Sequence, residues 1–190
     1  MKFSPRYMRD YFAQGRIRSV FAWIIEIILV IMLAVGAAFL FCQCYTVQEG
    51  SMEPTLKAGD KVLINVAAYK ISDPKRGDLV VFKSSTDTKS SLHAKRVIGL
   101  PGETIQIKDG QILINGETYV EQKDFPSITN PGLAEEPITL DSDEYFLLGD
   151  NRNNSEDSRH ADVGCVTKSS IVGKLWLSIL PFNRFGFVKS

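Results

Sequence analysis

The chain has 190 residues, with 22 Lys and Arg against 22 Asp and Glu and a formal net charge of zero. That length holds one membrane segment and one domain of ordinary size, and the neutral balance argues against a nucleic-acid partner or an acidic tail. Three cysteines, Cys42, Cys44 and Cys165, without a CxxC pair exclude a disulfide-dense scaffold and argue against structural zinc. Free or buried thiols are expected, and no metal or other cofactor.

The first element is VFAWIIEIILVIMLAVGAAFLF, Val20 to Phe41. As a helix it is about 33 Å long, enough for the hydrocarbon core of a bilayer. Its one charge, Glu26, lies near the start, within reach of the interface. The run exceeds the roughly 7–15 residues of a cleaved secretory signal, so an uncleaved anchor over 20–41 is expected. Lys2, Arg6, Arg9, Arg16 and Arg18 precede it against Asp10, and no Lys or Arg lies between Cys42 and Gly50. The positive-inside rule then puts residues 1–19 in the cytoplasm and residues 42–190 outside it.

The remainder reads as a mainly β domain of antiparallel sheets, without a helical period of useful length. Lys61–Val66 and Asp78–Phe82 are short β-branched runs bounded by turns. Thr104–Val120 carries Asp109-Gly110 and Asn115-Gly116, both type I′ hairpin dipeptides, and so predicts a three-stranded meander with Gln111–Ile114 in the middle. Glu144–Leu148 and Ile171–Ser178 add strands, and Leu175–Leu180, ending at Pro181, is expected to be buried. Residues 121–140 hold Pro126, Pro131 and Pro137 and are expected to form a loop insertion.

Three segments carry candidate chemistry. VQEGSMEPTL, Val47–Leu56, puts Ser51 after Gly50, a residue that permits close backbone approach, and before the strand-stopping Pro54. HAKRVIGLPGE, His93–Glu103, sets Lys95 in an apolar run. If His93–Ile98 is a strand, Lys95 shares a face with His93 and Val97 while Arg96 points the other way. A lysine on an inward face is costly unless neutral or paired; the opposite reading leaves Lys95 exposed and turns Arg96 inward. GDNRNNSEDSRHADVG, Gly149–Gly164, follows an apolar strand, and Asp150, Arg152, Asp157 and Arg159 could satisfy one another in a network that stiffens a site. A calcium loop fits this segment poorly, since the alternating acids and terminal Glu are missing and two arginines intrude.

In this order, SMEPT, GDLVVF (Gly77–Phe82) with KRVIGLPGE, and GDNRNNSEDSR resemble the motif boxes of bacterial type I signal peptidases, in the single-anchor form of Gram-positive bacteria. The resemblance covers nearly the whole chain. It implies a membrane-bound serine endopeptidase that removes signal peptides from secreted preproteins and cuts after small residues at the first and third positions before the bond. It implies Ser51 as nucleophile and Lys95 as general base, Ser155 as the hydroxyl orienting the lysine, and Asp157–Arg159 as a structural ion pair with Asp150 and Arg152 beside it. Burial can lower a lysine pKa by up to roughly 3–5 units, as this chemistry requires. Val47, Met52, Val80, Phe82 and Val97 are the candidates for two shallow apolar substrate pockets. The aromatic patch of Trp176 and Phe182–Phe187 is a candidate contact with membrane lipid, ordinary core being the alternative.

Two positions depart from the family pattern. Glu49 stands where some members carry a serine that donates to the oxyanion, and Asn153 stands where Asp is common. A Ser-His-Asp arrangement of Ser51, His93 and an aspartate remains a rival, as does a non-catalytic relative acting as a binding or assembly factor. A SxxK arrangement is excluded, because Pro54 occupies the lysine position.

Overall fold

The computed structural model describes the backbone of residues 5–84 and 91–188. The chain divides into two units, residues 1–41 and 42–190. The first is one helix, α1 (Pro5–Phe41), which begins well before the apolar run. Its window Arg18–Gly36 has a mean hydropathy of 2.5. The apolar side chains from Val20 to Val35 are exposed all round the helix. A helix of this length that is apolar on all sides is suited to a lipid environment. The basic flank from Lys2 to Arg16 lies outside the residues whose side chains are described.

The second unit is mainly antiparallel β, as expected. One sheet runs in the order β1 (Cys42–Thr46), β2 (Lys61–Asn65), β11 (Ile171–Leu180), β3 (Leu79–Lys83), β4 (Leu92–Gly99), β9 (Glu144–Leu148) and β10 (Val166–Thr167), with β12 (Gly186–Phe187) also paired to β11. A smaller sheet has the order β7 (Glu117–Thr118), β6 (Gln111–Ile114), β5 (Thr104–Lys108) and β8 (Ile138–Thr139). The meander forms at the predicted dipeptides: Asp109, Gly110, Asn115 and Gly116 have φ of 52°, 76°, 54° and 84°, the left-handed values of type I′ turns.

The strands of the large sheet's centre are buried on both faces. On β3, Leu79 and Val81 join one core cluster with Val47, Met52, Val62, Ile64 and Ala94, while Val80 and Phe82 join another with Val97, Tyr145 and Leu147. A third cluster, around Ile98, Ile105, Ile107, Phe146 and Leu148, lies with the small sheet. On β4, Lys95 and Arg96 point to opposite faces as expected, opposite Val80 and Leu79 of β3, and because both faces are covered both side chains are buried, at 0% and 3% exposure.

Departures from the expected elements are local. β1 precedes the first predicted strand, and a short helix, α2 (Ala68–Ile71), follows β2. Leu175–Leu180 is strand, but only Leu175 and Ser178 are buried. The insertion over 121–140 is pinned rather than loose. Ile128 and Ala134 sit in the third core cluster, and the Arg159 Nη1 donates to Asn130 O at 3.1 Å.

Candidate active site

Ser51 lies in a single turn of 3-10 helix, Gly50–Met52, directly after the extended Glu49. Asn151 clasps this turn: its N–H donates to Ser51 O at 3.0 Å, and its side-chain amide to Gly50 O at 3.2 Å. Lys95 comes from β4, opposite Val80 of β3. Its Nζ donates to Ser51 Oγ at 2.8 Å. Ser51 is 7% exposed, so the pair meets almost out of water. Burial pushes the Lys95 pKa down, partly opposed by the charges of Glu49, Asp157 and Glu156, and it stays below the ordinary lysine value. His93 does not occupy the lysine's place. Its Nδ1 lies 3.3 Å from Glu49 Oε1, and its ring packs against Phe82.

The loop after β9 supplies the supports, though not as a closed network. Asp157 accepts Arg159 Nε and Nη2, each at 2.8 Å, and the Gly149 N–H at 3.0 Å. Burial raises the Asp157 pKa, but these donors and the Arg159 charge outweigh it and hold the carboxyl below its usual range. Asp150 and Arg152 do not satisfy one another as the sequence suggested. Asp150 accepts Arg96 Nε and Nη2, each at 2.7 Å, and the Thr55 hydroxyl at 2.5 Å. Arg152 pairs with Glu121 and lies 4.2 Å above the Phe125 ring, with Arg96 on the same ring at 5.5 Å. Phe125 therefore bridges two guanidiniums at the start of the insertion.

Asp150 thus ties together all three motif segments: Thr55 beyond the nucleophile, Arg96 beside the lysine, and its own loop. Its partners were not foreseen. The signal was present in the apolar residues at both parities of β4, Ala94 and Ile98 as well as Val97, which mark a strand buried on both faces.

Ser155 is in the right neighbourhood: its Oγ is buried and makes no hydrogen bond of good geometry among the described residues, though it lies close enough to Asp157 to help hold that carboxyl's pKa down. Lys95 donates to Ser51 instead. Gly149 lets this serine approach: a Cβ there would lie 2.1 Å from Ser155 Oγ and 2.6 Å from Ser51 O. Gly149→Ala is expected to abolish activity with a folded protein remaining, because the added methyl pushes the Ser51 turn away from Lys95. Cleavage assays on the purified variant, with circular dichroism alongside, check this.

The five pocket candidates all lie in the cores that flank the site. Val47, Met52, Val80, Phe82 and Val97 are 0–3% exposed, and they are split between two core clusters. The open cleft at Ser51, about 480 Å³, is polar and includes Glu49, Asn130, Ser155, Glu156 and His160. Apolar residues on a sheet buried from both sides become core, and strand alternation alone does not tell core from pocket wall.

Residues 20–180 match the family described as signal peptidase, peptidase S26. The chain belongs to this family. Signal peptidase I of Bacillus amyloliquefaciens is 38% identical over 174 residues, covering 87% of this chain and 91% of that protein. Signal peptidase I T of Bacillus subtilis is 33% identical over 180 residues, covering 90% and 91%. The crystal structure of a signal peptidase I from Enterococcus faecalis is 32% identical and covers 55% of this chain and 97% of that one, with a TM-score of 0.43. The protein is therefore a bacterial type I signal peptidase, a peptidase of signal-peptide processing with an apolar N-terminal helix.

Proposed function

We infer that the protein cleaves signal peptides by a Ser-Lys dyad, Ser51 attacking and Lys95 acting as base. The observation that carries this is the 2.8 Å hydrogen bond between Lys95 Nζ and Ser51 Oγ in a buried setting. Neutral Lys95 takes the hydroxyl proton as Oγ bonds to the scissile carbonyl carbon. The resulting ammonium returns that proton to the leaving amine as the C–N bond breaks, which leaves an ester on Ser51. Water, deprotonated by the same lysine, then hydrolyses the ester and frees the signal peptide. The Ser51 N–H donates to the oxyanion; losing such a donor typically costs about 10²–10³ in rate. Asp157, held by Arg159, fixes the loop that carries Ser155.

Cleavage after small residues at the first and third positions suits this surface. The apolar side chains near the dyad are buried to 3% exposure or less, so they can floor shallow depressions rather than form deep slots. Residues 20–41 anchor the protein, with residues 1–19 in the cytoplasm and residues 42–190 outside. The exposed rings of Phe182, Phe185 and Phe187 support contact of the β domain with lipid.

The test is cleavage of a preprotein with an Ala-x-Ala site by the full chain in detergent, the new N-terminus being read by mass spectrometry. Wild type is expected to cut after the second Ala, and Ser51→Ala to be folded and inert. Binding without cleavage by wild type would instead favour a non-catalytic assembly factor. The pH dependence has a definite sign. Lys95 works only when neutral, so kcat/KM rises with pH through its titration. Burial places that rise below the ordinary lysine value of about 10.4. A rise centred at the ordinary value would contradict the assignment.

A further inference from the structure

Glu49 stands two positions before the nucleophile in extended backbone, φ −121° and ψ 152°, and makes no side-chain cap to the turn that follows. Its carboxylate reaches β4 instead. Oε1 lies 3.3 Å from His93 Nδ1 and Oε2 lies 3.8 Å from Lys95 Nζ. His93 and Lys95 alternate on one face of that strand, so a single carboxylate spans both. The Glu49 side chain is 51% exposed while that of Lys95 is 0% exposed.

The other groups facing Lys95 are already engaged or lie further along the site. Asp157 is taken by Arg159 and the Gly149 N–H. Arg96 turns to Asp150, and β3 presents the apolar Val80 and Phe82. Glu156 contributes a weaker negative charge from the loop after β9, and Glu49 is the strongest of the charges that oppose burial at Lys95. A carboxylate so near an amine favours its protonated form.

We propose that Glu49 is a positioning residue that holds a proton on Lys95 in the empty site and so sets the pH at which the enzyme switches on. This rests on the Ser51–Lys95 reading. The glutamate occupies a place where a neutral hydroxyl donor would leave the lysine more readily deprotonated. This signal peptidase therefore turns on at higher pH than it would without Glu49.

The test is the pH profile of kcat/KM on one preprotein for full-length wild type, Glu49→Gln and Glu49→Asp in detergent. In Glu49→Gln the acid midpoint is expected to fall by about one pH unit, which is roughly tenfold higher kcat/KM well below the wild-type midpoint. Glu49→Asp, which keeps the charge on a shorter arm, is expected to fall between the two. A Glu49→Gln midpoint that stays put or rises overturns the proposal, whatever happens to the plateau. Lys95→Met separates the two failures. If that variant still cleaves, the dyad is wrong; if it is inert and the Glu49→Gln midpoint is unmoved, only the role of Glu49 falls.

Discussion

Lys95→Met is expected to lose at least about 10⁴-fold in cleavage rate while melting no lower than wild type. The rate figure is typical of removing the base from a serine peptidase site. The stability half of the expectation comes from burial. Lys95 is 0% exposed, and among the described residues its Nζ bonds Ser51 Oγ at 2.8 Å with Glu49 Oε2 further off at 3.8 Å. Methionine fills nearly the same volume with no amine to desolvate, and exchanging buried ionic groups for apolar ones of similar size is often neutral or stabilising. A structural lysine would show the reverse, a lower melting temperature with activity largely kept. Single-turnover cleavage and a thermal melt on the same preparation decide between them. Residual activity within a hundredfold of wild type would move suspicion to His93.

Asp150→Ala is expected to be the most destabilising single change near the site, by about 3–5 kcal/mol, because it strands a buried guanidinium. Arg96 is 3% exposed and Asp150 0%. Both nitrogens that Arg96 offers to Asp150 bond at 2.7 Å. Among the described residues, Arg96 then keeps Gly77 O, at 2.8 Å, and the Phe125 ring. For a domain of this size the loss lowers Tm by roughly 10 °C. The double variant Arg96→Met with Asp150→Ala is expected to recover part of it, since no unpaired charge then remains. If Asp150→Ala melts within about 2 °C of wild type, the pair is not the tie described above.

Much of this was legible before any coordinates. The type I′ dipeptides fixed the meander because only Gly, Asn and Asp adopt those backbone angles cheaply. Ser51 and Lys95 stood out through their motif boxes, and the structure brings them to 2.8 Å. What escaped the sequence was pairing at long range. Nothing local joins Glu121 to Arg152, or Thr55 and Arg96 to Asp150, because those contacts depend on which strands become neighbours. The apolar pocket candidates carry a related lesson: burial on both faces of β3 and β4 makes them core, and alternation alone does not tell which of them also floor a depression at the cleft. β1 was missed because CQCYT has little of the β-branched pattern that marks strands.

The place of β11 in the large sheet has a consequence for how the protein comes into being. It lies between β2 and β3, yet it is made after every other strand except β12. During synthesis, β2, which follows the serine turn, and β3 with the lysine-bearing β4 therefore wait, unjoined at the centre, until that late segment arrives. Contacts separated by so much sequence form slowly. Until that late strand arrives, the turn that carries Ser51 and the strand that carries Lys95 belong to halves of the sheet not yet joined at its centre, so the 2.8 Å contact between them is among the last features the fold completes.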